Sequence, residues 1–89
     1  MISEQVKVVN KLGLHARAAT KLVNCASGFE ADISVARGAR KVNAKSIMGV
    51  LTLAAAIGTE LTIEIEGPDE SEAMQAVAGL FEDCFGEGE

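Results

Sequence analysis

The sequence predicts a two-layer α/β fold in which an antiparallel sheet is covered on one face by helices. Three observations carry this. ELTIEIE at 60–66 alternates apolar with polar residues, the period of a strand with one dry and one wet face. Segments 16–27 and 69–84 space their apolar residues three and four apart, the period of a helix with one buried face. Turn residues divide the chain into the order β-α-β-β-α-β-α, and the helices of such a chain must cover the dry face of its sheet.

QVKVVN at 5–10 alternates briefly and is rich in valine, so it reads as the first strand. Leu12-Gly13-Leu14 is a turn. From Ala16 to Ser27 the positions Ala19, Leu22, Val23 and Ala26 follow helical spacing, and Gly28 closes the helix. ADISVA at 31–36 is the second strand, and Gly38 turns it into a hairpin with a short third strand at 40–43. Residues 46–54 form a short apolar helix that Gly58 stops. Ile47, Val50, Leu51 and Ala54 are expected to face the core, which leaves Met48 off the stripe and partly exposed. The fourth strand is ELTIEIE. After the turn Gly67-Pro68-Asp69, Asp69 and Glu72 have capping-box spacing, and Ala73, Val77, Leu80, Phe81 and Cys84 form the apolar stripe of the last helix. The terminal GEGE is expected to fray.

Length and composition bound the function. Residues 1–89 make one domain, packed by Ile, Val, Leu and Ala because only three Phe and no Tyr or Trp are present. No stretch is long and apolar enough to enter a membrane, and the first residues lack the basic start and apolar run of a signal peptide, so a cytoplasmic protein is expected. With one histidine, no CxxC and two separated cysteines, no metal site and no cofactor are expected. Cys25 and Cys84 are expected to be reduced thiols packed as small hydrophobes. A net charge of −5 argues against a nucleic-acid partner, which needs a basic face. The charge is uneven. All eight Lys and Arg lie between Lys7 and Lys45, whereas residues 46–89 hold ten acids and no base. If the fold separates the two regions, the positive face includes the only histidine.

That histidine, His15, stands in LGLHARAAT, between a turn glycine and a helix start. An imidazole, ordinarily titrating near ~6.5, offers a neutral ring nitrogen as ligand, base or nucleophile. A helix mouth favours an anion through its free N–H groups and dipole. Arg17 adds a guanidinium fork, and the small Ala16, Ala18 and Ala19 let a partner approach. These residues suit a transient phosphoryl group. No second acid or base lies nearby in sequence to suit a hydrolase.

LGLHARAA, followed by KVNAKSIMGVLTLAA, resembles the HPr family, the phosphocarriers of the bacterial phosphoenolpyruvate-dependent phosphotransferase system. The resemblance covers the whole chain and includes both the sugar-type and the nitrogen-related (NPr) carriers. It implies an open-faced β-sandwich with sheet order 1-4-2-3. It also implies that His15 accepts a phosphoryl group on Nδ1 from phosphorylated enzyme I and passes it to an IIA protein or domain. Arg17 would stabilise the phosphoryl oxygens. Ser46 matches a regulatory serine that a kinase (HPr kinase/phosphorylase) modifies in some bacteria. Leu14, Ala16, Ile47, Met48 and Leu51 would form the docking surface of a monomeric carrier that performs no turnover alone. Many members carry proline where this chain has Ala18, which leaves the helix entry less rigid. Read without the resemblance, Ser46 is a helix cap, and two other classes stay open. A regulatory or ligand-binding α/β domain would bind a metabolite without phosphoryl uptake. An enzyme with a histidine nucleophile would turn over alone, although no glycine-rich nucleotide loop or acid–base pair supports it.

Overall fold

The computed structural model describes residues 1–86. The element order is β1 (Ile2–Lys7), α1 (Ala16–Ser27), β2 (Asp32–Arg37), β3 (Arg40–Asn43), α2 (Ile47–Leu51), β4 (Glu60–Glu66), α3 (Glu70–Glu82), then a short 3₁₀ turn at Cys84–Gly86. Most of the terminal GEGE, residues 87–89, lies outside the described residues.

The four strands form one antiparallel sheet in the order β1-β4-β2-β3, as the family resemblance implies. In β4, Leu61, Ile63 and Ile65 are buried, while Glu60 and Glu66 at its ends are exposed. Ile33 and Val35 of β2 lie beside them on the dry face, paired with Ile65 and Ile63. The helices cover that face with Leu22 and Ala26 of α1, Val50 of α2, and Val77 and Phe81 of α3. Phe81 meets Phe85 edge-on, with ring centroids 4.9 Å apart, closing the core at the C-terminal turn. The wet face stays open and carries the ion pair Lys41–Glu64.

Several local expectations need correction. The first strand is Ile2–Lys7 rather than 5–10, because Val8 and Asn10 leave the strand to be buried in the loop toward α1. Gly28 caps α1 as expected, with right-handed backbone (φ −78°, ψ −4°). The second strand lies one residue later than 31–36. The helix expected over 46–54 ends at Leu51, where Thr52 caps it and turns its hydroxyl onto the Gly49 carbonyl at 2.6 Å. Ile47 and Ala54 face solvent, Leu51 is half-buried, and Leu53 fills the core instead. Asp69 makes no capping bond. Its carboxylate reaches back to the loop before β2, and Glu70, not Glu72, accepts a turn N–H, that of Gly67, at 3.1 Å.

Candidate functional site

The approach to α1 is held at three points. Gly13 adopts φ +69°, and its N–H bonds the Asn10 carbonyl while the Asn10 amide returns a bond to the Gly13 carbonyl at 2.7 Å. A side chain at Gly13 would meet the Ala55 carbonyl at 2.6 Å, so glycine is required both for its conformation and for the close approach of residues 55–56. The N–H of Leu14 then bonds the Ala55 carbonyl at 2.8 Å. Leu14 is 4% exposed. It anchors the loop in the core and offers no docking surface, contrary to the expectation for it.

These contacts deliver His15 to the helix mouth as the N-cap residue of α1, with extended backbone (φ −80°, ψ −178°). Its carbonyl starts the helix by accepting the Ala19 N–H at 2.8 Å. Its Nδ1 accepts the N–H of Arg17 at 3.3 Å, the work that Ser, Asn or Asp does at most N-caps. A nitrogen that accepts a hydrogen bond presents its lone pair, so in the neutral ring the proton is on Nε2. The contact to Arg17 uses the backbone, and the arginine side chain is exposed. Ala16 is also exposed, while Ala18 is fully buried in the first turn, and the helix forms with alanine there.

Ser46 caps α2. Its Oγ accepts the Gly49 N–H at 3.1 Å, so the cap reading of this serine holds. After it come Ile47, 41% exposed, and Met48, 73% exposed. Helix α2 packs on α1, and the segment after α2 supplies the Ala55 carbonyl to Leu14, so these two helices and their loops form one surface. Leu12 and Ile57 add exposed apolar side chains from the same two loops.

The bases do not all gather at His15. Lys21 bonds the Phe85 carbonyl, Lys45 the Phe29 carbonyl, and Lys41 pairs with Glu64. Arg37 and Arg40 instead engage residues 52–54, adjoining the His15 loop. Sequence reasoning missed that pair and also Asn10. The NKLG turn was a signal for Asn10, whereas nothing local marks the arginines. Burial raises the Cys25 thiol above its ordinary pKa, and both cysteines are half-buried and free. Among the described residues, no three His, Cys, Asp or Glu come together as a metal site, and no helix is long and apolar enough to cross a membrane.

Comparisons with known proteins identify the family. Residues 2–83 match the family model described as the PTS HPr component phosphorylation site. The chain is 51% identical to the phosphocarrier protein HPr of Cupriavidus necator over 89 residues, all of both chains. It is similar to a crystal structure of HPr from Thermoanaerobacter tengcongensis with a TM-score of 0.94 and 44% identity, covering 98% of each chain. An HPr dimer from the same organism aligns at TM-score 0.79 over 98% of this chain and all of that one. With the family model matched over residues 2–83, a relative 51% identical over its whole length and the sheet order β1-β4-β2-β3, this chain belongs to the HPr family of phosphocarrier proteins of the phosphotransferase system.

Proposed function

We propose that the chain is a cytoplasmic, monomeric phosphocarrier that takes a phosphoryl group onto Nδ1 of His15 from phosphorylated enzyme I and passes it to an IIA protein or domain. The observation that carries this reading is the Nδ1 lone pair held at the mouth of α1 by the Arg17 N–H. As the bond between phosphorus and the donor breaks, Nδ1 bonds phosphorus, and the Arg17 N–H is released to a phosphoryl oxygen. The other free N–H groups of the first turn and the helix dipole stabilise the same oxygens. The Arg17 guanidinium swings onto them from its exposed position. Return of the group to the next acceptor reverses these steps, so the chain is a carrier and not a catalyst with turnover of its own. Ala16, Ile47, Met48 and Leu51 meet the partners beside His15. Ser46, at the edge of that surface, is a regulatory phosphorylation site for a kinase of the HPr kinase/phosphorylase type.

The test is incubation with phosphoenolpyruvate and enzyme I, followed by intact mass. One added phosphoryl group is expected, lost in acid as a phosphoramidate and absent from His15→Ala, whose fold should persist because a half-exposed cap residue contributes little packing. An acid-stable label, or one that survives in His15→Ala, would place the chemistry elsewhere.

A further inference from the structure

The β2–β3 hairpin ends on an unfavourable pair. Arg37 and Arg40 stand directly opposite in the register. Like charges at such positions repel. Both arginines continue the dry-face parity of their strands, Arg37 after Ile33 and Val35, and at the sheet end they extend over the segment that follows α2. The Nη1 of Arg37 donates to the Leu53 carbonyl at 2.8 Å and to the Ala54 carbonyl at 3.1 Å. The Nε of Arg40 donates to the Thr52 hydroxyl at 3.3 Å. The segment they hold is itself strained, because Ala54 has φ +49°, a conformation an L-residue with a β-carbon adopts at a cost. The next residue, Ala55, presents the carbonyl that receives the Leu14 N–H and against which Gly13 packs.

From this chain of contacts we infer that Arg37 is a positioning residue for His15. It acts from 16 and 17 residues away on Leu53 and Ala54, and through Ala55 on the Gly13–Leu14 turn that sets the imidazole at the helix mouth. Its guanidinium satisfies carbonyls left open past the end of α2 and holds the strained turn in the one arrangement that aims the Ala55 oxygen at Leu14. Arg40 braces the start of the same segment. The inference deepens the carrier reading of His15 and rests on it.

Arg37→Met removes the donors and keeps much of the length, Arg37→Lys keeps one donor group, and Lys41→Met removes the same charge from the partner strand without touching residues 52–54. Two quantities are read: amide exchange of Leu14, and kcat and KM for phosphoryl uptake from phosphorylated enzyme I. Arg37→Met is expected to cut Leu14 protection about tenfold, part of the worth of the two charged hydrogen bonds it removes from Leu53 and Ala54. It should lower kcat by about three- to tenfold with KM unchanged, as misplacement of a reacting group does. Arg37→Lys should recover part of both, and Lys41→Met should change neither. Unchanged Leu14 protection in Arg37→Met overturns the inference. So does a rise in KM at constant kcat, which would make Arg37 a docking residue, or an equal loss in Lys41→Met, which would make its charge alone responsible. A wild-type chain that takes up no phosphoryl group sinks the carrier reading and the transfer role together, whereas the exchange measurement still decides whether Arg37 holds the turn.

Discussion

The Asp69 carboxylate accepts the N–H of Ala31 at 2.9 Å, joining the start of α3 to the loop before β2 across 38 residues of chain. Its second oxygen accepts the Glu30 N–H, also at 2.9 Å. A β-carbon at Gly67 would meet Ala31 at 2.5 Å, so the turn into α3 lies directly on this loop and the carboxylate locks it there.

The lock should be acid-sensitive. The Glu30 N–H, then that of Ala31, holds the Asp69 carboxyl below its usual pKa, aided by the charge of Lys45. A carboxylate whose folded pKa is depressed stabilises the fold above its unfolded pKa and loses that contribution as pH falls through the folded value. Asp69→Ala is therefore expected to lower the melting temperature at pH 7, with the gap from wild type closing as pH falls below the ordinary carboxylate range. Asp69→Asn, which keeps one acceptor, should fall between. Melts from pH 7 to pH 2 check this, and a gap constant across that range would count against the role of the charge.

Arg17 should matter to transfer and not to folding. Its backbone N–H donates to Nδ1 of His15, the N-cap of α1, and neither an alanine nor a lysine side chain at 17 removes that bond. Arg17→Ala is expected to slow phosphoryl transfer about tenfold or more, the scale for losing one donor to a developing anion, while shifting stability by no more than about 0.5 kcal/mol. Arg17→Lys keeps the charge but not the fork and should lie between. Rapid-quench transfer rates and thermal melts measure the two effects, and wild-type rates in both variants would remove Arg17 from the site.

Much of this arrangement was legible in the chain because it is local. Alternation located β4 at 60–66, since a strand with one dry face has no other way to place Leu61, Ile63 and Ile65. Helical spacing marked the start of α1 and placed the single histidine at its mouth, where the structure makes it the N-cap. The misses fall where a distant contact outweighs local pattern. Val8 reads as strand, yet it is buried in the approach to α1 and bonds Gly58 and Thr59. The apolar run after Ser46 reads as helix to Ala54, yet Thr52 ends it, and Arg37 of the hairpin takes the carbonyls of Leu53 and Ala54. Asp69 and Glu72 have the spacing of a capping box, but the Asp69 carboxylate is spent on Glu30 and Ala31. Leu14 adjoins His15, and the family resemblance makes it a contact residue, but it bonds the Ala55 carbonyl and is buried.

Ser46 joins the two concerns, stability and docking, in one side chain. Its Oγ holds the Gly49 N–H at 3.1 Å, so Ser46→Ala should lose a cap at a cost of about 1 kcal/mol and leave transfer near the wild-type rate. Ser46→Asp keeps an acceptor at the cap, and a carboxylate is among the best residues there, so the melting temperature should hold or rise slightly. The same charge adjoins Ile47 and Met48, both exposed, on the surface proposed to receive enzyme I. A partner that packs on apolar side chains must then desolvate the carboxylate or face it with its own acids, and a penalty of about 1.4 kcal/mol slows transfer about tenfold. The expected pattern is thus opposite in the two variants: Ser46→Ala less stable and competent, Ser46→Asp stable and slow. Transfer from phosphorylated enzyme I at matched protein concentration, alongside thermal melts, reads both. Equal rates would detach Ser46 from the docking surface. A large fall in melting temperature for Ser46→Asp would show that Oγ needs its hydroxyl proton as well as its lone pair, and the slow transfer would then report a damaged helix instead of a repelled partner.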